Sequence, residues 1–301
     1  MEKLQMTVPL LFIALCLIFG PLSIAAQTTD RRLSLAVVDF GSSPLGRVAA
    51  DSVVAKLKAS QGINIIDRDG SRLAARGAGY EGSLNLTLKE ARDLGEALGC
   101  DFYLIGDAQT LRRSTSDNPI YFESYAAIFL VSSRSGRLVT WERPSFEASS
   151  PSAAEHRLLE ELSSEDGTRR YLAMMQKAYE EERRQRLSAI ETVIPVIDEA
   201  PDDEKAAEAN ALRLPRPYRR LRPAYPETAA RADAEAVVDV LVDLDADGEV
   251  SRVDVARWAG FGLDEASLDT VRRLHFFPAM RNGTPIPIRI LLRYNFRRSS
   301  K

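Results

Sequence analysis

The sequence predicts an α/β protein (α+β in its small domain): an N-terminal α/β sheet domain, a helical arm with a linker, and a small C-terminal β-β-α-β domain. Three observations carry this prediction. A length of 301 residues accommodates about two domains. Short apolar runs alternate with segments of helical spacing over residues 31–148, which is typical of a sheet with helices on its faces. Residues 223–301 contain two alternating strands, one helix and a closing strand.

The first 26 residues are predicted to be a leader. An apolar run over residues 8–19 follows a basic residue, a Gly-Pro pair then breaks any helix, and small residues end the segment near Ala26. This pattern is typical of a secretory signal peptide cleaved near that point. An uncleaved membrane anchor over residues 8–26 is the alternative, because that stretch just reaches the length that spans a bilayer.

The domain at residues 31–148 shows the strand and helix signals most clearly. Thr87 and Glu90 predict a capping box at a helix start, and Gly99 predicts its end. The predicted strands are Leu33–Phe40, Gly62–Arg68, Cys100–Ala108, Ile120–Val131 and Leu138–Trp141; the predicted helices are Val48–Ala59, Ser71–Arg76 and Thr87–Leu98.

Residues 152–194 and 195–222 connect the two predicted domains. The first stretch has amphipathic helical spacing interrupted at Gly167, which predicts an arm that covers the sheet or stands off from it. The second stretch is acidic at first and basic later, with several prolines. Such a composition cannot bury a core by itself, so it predicts a mobile or semi-extended linker.

Composition excludes several classes of function. The net charge is −3 with a pI near 5.7, which does not favour nucleic acid as a partner. The two cysteines are Cys16, in the leader, and Cys100, so a chain without its leader has no intrachain disulfide and no cysteine-based zinc site. We predict no metal and no cofactor.

An acidic stretch near the C-terminal strands imitates a calcium-binding loop. Asp243, Asp245, Asp247 and Gly248, with Asp254 further on, follow the spacing of an EF-hand loop. The flanking residues alternate between valine and polar residues, which indicates strands rather than helices. We therefore predict a polar hairpin turn here.

Three aspartates could point to an enzyme, because Asp39, Asp67 and Asp107 each end a predicted strand, where catalytic carboxylates can gather. The two histidines, His156 and His275, lie in different predicted domains. Without a base or metal cluster beside them, the aspartates are predicted to be structural, and the protein is predicted not to be an enzyme. An enzymatic function would require a bound cofactor.

The C-terminal elements occur in a distinctive order. They are Tyr225-Pro226, a strand at Val238–Val242, a turn at Asp247-Gly248-Glu249-Val250, a helix from Leu263 to Leu274 with Asp264 as its N-cap, Phe276-Phe277-Pro278-Ala279, Asn282-Gly283, and a final strand at Ile286–Phe296. In this order they resemble the C-terminal domain of the TonB family over residues 223–296.

The N-terminal part resembles a group of periplasmic domains: the amino-terminal domain of TolB, the curli-secretion lipoprotein, and activators of penicillin-binding proteins. The pieces that carry this resemblance are Ala36-Val37-Val38-Asp39-Phe40, Ile65-Ile66-Asp67-Arg68, and the stretch from Leu94-Gly95 to Ile105-Gly106. Both resemblances imply a protein of the cell envelope in the periplasm.

The TonB resemblance implies that the C-terminal domain binds a segment of an outer-membrane transporter by β-strand addition and supports energy-dependent transport across the outer membrane. Inner-membrane motor proteins are further partners if the leader stays uncleaved. Two features depart from motor-coupled members: residues 8–26 contain no histidine, and no long Pro-Glu or Pro-Lys spacer is present. The alternative is a non-energised periplasmic adaptor that binds other envelope proteins. The oligomeric state is not predicted.

The last strand is the predicted binding edge. Prolines at its start discourage unwanted pairing, while residues 288–294 contain none, so their backbone groups can pair with an added strand. Alternation places one face inward and leaves arginines available to attract an acidic segment. The predicted partner-binding residues are Ile288, Arg289, Ile290, Leu291, Leu292, Arg293 and Tyr294.

Overall fold

The computed structural model describes residues 32–60, 62–114, 120–191, 197–201 and 204–298. The predicted leader, residues 1–26, lies outside these ranges. Among the helices within them, none combines the length and the apolar character needed to cross a bilayer. The predicted α/β class is confirmed by two main sheets with helices against them.

The N-terminal sheet is mixed. Its strands are β1 (Leu33–Phe40), β2 (Ile63–Ile65), β3 (Phe102–Arg113), β4 (Tyr121–Ser132), β5 (Leu138–Glu142) and β6 (Ser145–Ala148). They lie in the order β2-β1-β3-β4-β5, with β6 beside β4. The pairs of β1 with β2 and β3 are parallel, whereas β4 pairs antiparallel with β3, β5 and β6.

Helices cover both faces of this sheet. They are α1 (Pro44–Lys58), α2 (Arg68–Gly77), α3 (Leu88–Leu98), α4 (Pro151–Leu162) and α5 (Glu165–Glu191). Alternate residues of β1 face opposite sides, so Leu35 packs with α1, α4 and α5 while Ala36 packs with α2 and α3. Both sides of β1 are buried, which explains its continuous apolar sequence.

The helical arm covers the sheet. Leu158 of α4 and Met175 of α5 are fully buried in the core formed with α1. The break between the two helices lies before Gly167, at Ser163 and Ser164, rather than at Gly167 as predicted. The Ser164 hydroxyl accepts a hydrogen bond from the Gly167 amide at 3.2 Å, so this glycine lies in the first turn of α5.

The C-terminal domain has the predicted β-β-α-β order with short additions. Its elements are α7 (Glu227–Arg231), β10 (Ala236–Leu244), β11 (Val250–Arg257), α8 (Leu263–Val271), β12 (Phe276–Phe277), β13 (Ala279–Arg281), β14 (Thr284–Ile286) and β15 (Ile288–Phe296). The predicted final strand is divided between β14 and β15 at Pro287, which lies outside both.

The start of α8 differs from the prediction. Gly262, at φ 79°, is the N-cap rather than Asp264. The Asp264 carboxylate instead accepts hydrogen bonds from the amides of Ala259 and Gly260, both at 2.8 Å. Gly260, Phe261 and Gly262 all have positive φ and form a tight turn that leads into α8. No capping signal in the sequence reveals this turn.

Where the structure describes the linker, which was predicted to be mobile or semi-extended, it lies against the C-terminal domain and contains short extended segments. It contains β7 (Asp198–Glu199), α6 (Glu204–Ala209), β8 (Leu212–Arg213) and β9 (Arg216–Pro217). These strands pair with β15, β13 and β12 respectively. Ala207 and Leu212 are buried in the core of the C-terminal domain, which supplies the apolar surface that the linker lacks.

Candidate binding edge

The binding edge belongs to a four-stranded sheet in the order β11-β10-β15-β7. β15 pairs antiparallel with β10 along its whole length, from Ile288 opposite Leu244 to Phe296 opposite Ala236. On its other side, β15 pairs parallel with β7 at Ile288 and Arg289. No strand among the described residues pairs with that side at residues 290–292.

One face of β15 packs into the domain core. Ile288 is fully buried there, and Ile290, Leu292 and Tyr294 are partly buried against the same core. Burial raises the pKa of the Tyr294 hydroxyl. The residues of the inward face are therefore those that the alternation of the sequence indicates.

The opposite face of β15 carries Arg289, Leu291 and Arg293. Leu291 is 45% exposed. The two arginines form hydrogen bonds to buried carboxylates of β10. Arg289 donates to Asp243 at 2.6 and 2.8 Å, and Arg293 donates to Asp239 at 2.7 and 3.0 Å. Hydrogen bonding to Asp243 raises the pKa of Arg289. Part of the charge expected to attract a partner is thus engaged within the sheet.

These ion pairs were missed by sequence reasoning, although a signal exists. Asp239 and Asp243 lie four residues apart on β10, and Arg289 and Arg293 lie four residues apart on β15. In an antiparallel pair, matched spacings of even length place both pairs on one face. Arg257 of β11 adds a third contact, since its Nε lies 3.4 Å from the Asp239 carboxylate.

The backbone N–H and C=O groups of successive residues in β15 point alternately to its two sides. The Arg289 carbonyl accepts a hydrogen bond from the Ala200 amide at 2.8 Å, so the backbone groups of Arg289 face away from β10. Since the N–H and C=O of one residue point to the same side of an antiparallel strand, those of Leu291 face the same way. Leu291 thus presents a donor and an acceptor at the side on which a further strand would add.

The other end of the same sheet is attached to the N-terminal domain. Trp258, directly after β11, is 2% exposed and stacks on Phe129 of β4 with ring centroids 5.8 Å apart. Its indole N–H donates to the Gly136 carbonyl at 2.9 Å. A Cβ on Gly260 would lie 2.5 Å from the Phe129 ring, so only glycine fits that close approach at φ 71°.

A second attachment comes from the loop before α3. The Asn85 side chain accepts from the Val237 amide at 3.0 Å and donates to the carbonyls of Val237 at 2.8 Å and Trp258 at 2.7 Å. Arg137 of the N-terminal domain also binds Asp254 of β11 at 2.9 Å. Sequence reasoning singled out neither Trp258 nor Asn85, because each acts through contacts far along the chain.

Three aspartates were predicted to end strands; in the structure Asp39 lies at the end of β1, whereas Asp67 follows β2 and Asp107 lies inside the longer β3. All three are engaged in structural contacts. Burial acts to raise the pKa of Asp39, but hydrogen bonds from Arg68 and Arg72 prevail and lower it. Asp67 caps α2 by accepting from the Gly70 amide at 2.8 Å. Asp107 accepts from the Tyr125 hydroxyl at 3.0 Å and from Gln109.

The acidic loop and the histidines also have defined places. Asp245 accepts hydrogen bonds from the amides of Asp247 at 3.0 Å and Glu249 at 2.9 Å, which closes the predicted turn between β10 and β11. His275 contacts the Glu249 carboxylate at 2.8 Å, and His156 lies 3.3 Å from Glu160 on α4. Within the described ranges, no group of three or more His, Cys, Asp or Glu side chains is arranged to hold a metal ion.

Comparison with known proteins gives one match in sequence. Residues 222–297 match the model of the family described as Gram-negative bacterial TonB protein C-terminal. No curated protein matches the chain.

Several solved structures resemble parts of the chain at low identity. The TonB C-terminal domain from Pseudomonas aeruginosa has 20% identity, covering 29% of this chain and 89% of that chain with a TM-score of 0.25. Lipoprotein GNA1162 from Neisseria meningitidis has 15% identity, covering 43% and 94% with a TM-score of 0.32. The LpoB C-terminal domain from Salmonella enterica has 13% identity, covering 38% and 82% with a TM-score of 0.27.

The resemblance predicted from the order of the C-terminal elements is confirmed by the family match, which begins and ends within a residue of the predicted range. Residues 222–297, which contain β15 and its edge, are therefore similar to the C-terminal domain of the Gram-negative bacterial TonB protein.

Proposed function

We propose that this chain is a periplasmic protein of the cell envelope whose C-terminal domain binds an extended segment of an outer-membrane transporter. The segment adds as a strand to the outer side of β15, at Ile288 to Tyr294. Main-chain hydrogen bonds supply the affinity, and the side chains that alternate along the added strand supply the selectivity. In this way the protein supports energy-dependent transport across the outer membrane.

The observation that carries the proposal is the orientation of Leu291. Its backbone groups face away from β10, as the Ala200–Arg289 hydrogen bond indicates for the same side of the strand. The inward face of β15 is held by the core, so the strand is fixed before a partner arrives. A rigid, exposed edge loses little conformational freedom on binding, which favours affinity.

Titration of the isotope-labelled full-length chain with synthetic N-terminal peptides of outer-membrane transporters tests the proposal. We expect the largest backbone amide shifts at residues 288–294. Leu291→Pro removes an outward N–H and should abolish these shifts, whereas the matched exposed variant Leu291→Ala should retain them. Shifts centred on β11 or α8 would instead refute this edge as the binding site.

A second candidate function, a non-energised adaptor, is favoured by the folded linker. Residues 197–201 and 204–222 lie against the C-terminal domain, and that domain is attached to the N-terminal sheet through Trp258. A C-terminal domain held against the N-terminal sheet in this way suits docking to a nearby envelope protein.

The fate of the leader separates the two candidate functions. An intact N-terminus retained in the inner membrane favours energy transduction with motor proteins as partners. A mature protein that begins near Gln27 favours the adaptor. N-terminal sequencing of the protein from fractionated envelopes distinguishes the two outcomes.

A further inference from the structure

We infer that Asp198–Ala200 is a built-in competitor for the binding edge, and that the partner which displaces it is an extended segment rich in acidic residues. This inference rests on the proposed function, since β7 and the added partner strand would pair with the same side of β15. It adds a regulation to that site and a chemical class to the partner.

The backbone contacts place this segment on the binding edge itself. β7 runs parallel to β15, with Asp198 opposite Ile288 and Glu199 opposite Arg289. The Ala200 amide donates to the Arg289 carbonyl at 2.8 Å. A partner strand that pairs with Ile288 and Arg289 would need the same carbonyl, so the two cannot be bound there together.

The charges around β7 indicate which kind of partner strand the binding edge favours. Asp198 binds Arg281 of β13 at 2.6 Å, and Glu199 lies opposite Arg289 in the register of the two strands. Asp198 and Glu199 are both exposed, so charge rather than burial holds their side chains. An incoming strand with carboxylates at these two positions would meet the same arginines.

The competitor is short, which makes it replaceable. β7 has two paired residues and β15 has nine. A longer partner strand could pair beyond Arg289, where Leu291 presents its backbone groups, and would therefore gain hydrogen bonds that β7 does not make. Pro201 restricts Ala200 to extended conformations, which keeps the competitor in a conformation suitable for pairing.

A matched pair of proline variants tests the competition. Ala200→Pro removes the amide that bonds to Arg289, whereas Glu199→Pro removes an amide of the opposite parity, which faces away from β15. Asp198→Lys is a third variant, which turns the contact with Arg281 into a repulsion. Because the substitution Glu199→Pro also removes the Glu199 carboxylate, Glu199→Gln serves as the control for charge.

The readouts are amide hydrogen exchange at Arg289 and the affinity of the full-length chain for synthetic N-terminal peptides of outer-membrane transporters. If β7 occupies the edge for about 0.9 of the time, removing it raises the apparent affinity about tenfold. We expect this increase, with faster exchange, in Ala200→Pro and in Asp198→Lys. Glu199→Pro should bind as Glu199→Gln does.

The acidic preference is tested separately with the peptide Ile-Asp-Glu-Ala-Pro, the sequence of residues 197–201, and with a version in which lysine replaces both acids. The acidic peptide should shift the amides of β15 in Ala200→Pro, and the lysine peptide should not. Equal shifts from both peptides would overturn the charge preference.

The results also separate this inference from the proposed function. Unchanged peptide affinity in both Ala200→Pro and Asp198→Lys, with shifts still centred on β15, would overturn the competition and leave the proposed function intact. An absence of shifts on β15 in every chain would overturn the proposed function, and the competition with it.

Discussion

The two sides of the C-terminal sheet are held in different ways. Beyond β11, the buried ring of Trp258 stacks on Phe129, and the Asn85 side chain makes three hydrogen bonds to the backbone of Val237 and Trp258. Beside β15, a strand of two residues adds a short parallel ladder with exposed acidic side chains. An interface of buried aromatic residues is costly to open, whereas a short polar ladder opens easily. One side of the sheet is therefore suited to fixing its position, and the other to exchanging partners.

The largest expected effect on stability comes from a substitution at the β11 side of the sheet, which is attached to the N-terminal domain. Trp258→Ala should lower the free energy of unfolding by about 3–5 kcal/mol, because it leaves a cavity beside Phe129 and an unsatisfied Gly136 carbonyl. Chemical denaturation measures the loss. Tyr218→Ala, at an aromatic residue that is 58% exposed, is the control and should change stability little. A loss of similar size in both variants would show that Trp258 has no special role.

The next prediction concerns pH at the same attachment. Burial raises the pKa of Asp264 to about 6, while hydrogen bonds from the Gly260 and Ala259 amides act to lower it. The folded state therefore binds more protons than the unfolded state between about pH 4 and pH 6. Stability should fall as the pH rises through that window, by at most about 3 kcal/mol.

Asp264→Asn tests this pH dependence because it removes the titrating group and keeps the side-chain shape. Subtracting its unfolding free energies from those of the wild type isolates the Asp264 contribution from that of Asp39. The lowered pKa of Asp39 acts with the opposite sign, since its stabilisation is present above about pH 4 and is lost below it. A difference that does not vary between pH 4 and pH 6 would contradict the prediction.

A smaller effect is expected within the sheet. Asp243→Asn weakens the interaction of Arg289 with a buried side chain and should lower the free energy of unfolding by about 1–3 kcal/mol. The value lies below that of a fully buried ion pair because the Arg289 side chain is partly exposed. Asp269→Asn breaks an exposed pair with Arg272 and should cost less than about 1 kcal/mol, as thermal unfolding of both variants would reveal.

The smallest effect on stability is expected at the outer side of β15. Leu291→Pro removes an N–H that faces away from β10, so it should cost less than Ile290→Pro, which removes an N–H from the ladder with β10. Unfolding free energies of the two neighbours compare the two sides of one strand directly. Equal losses would mean that β15 is not an edge at Leu291.

Periodicity made much of the fold predictable. The continuous apolar run of β1, the capping box at Thr87 and the alternation along β10 and β15 are local patterns, and each lies where the sequence indicates. The inward face of the last strand likewise follows from alternation alone. Local patterns suffice here because a strand or a helix is decided by residues close together in sequence.

The sequence by itself thus determined the order of the main elements of the two domains, the inward face of β10 and β15, and the resemblance of residues 223–296 to the TonB family. Only the tertiary structure decided that Asn85 bonds to Val237, 152 residues away, and that Asp198 lies beside Ile288. The physical reason is that an acidic, proline-containing segment has no core of its own. Its contacts come from elsewhere in the chain, from the Arg289 carbonyl of β15 and from Arg281 of β13, and its own composition does not reveal them.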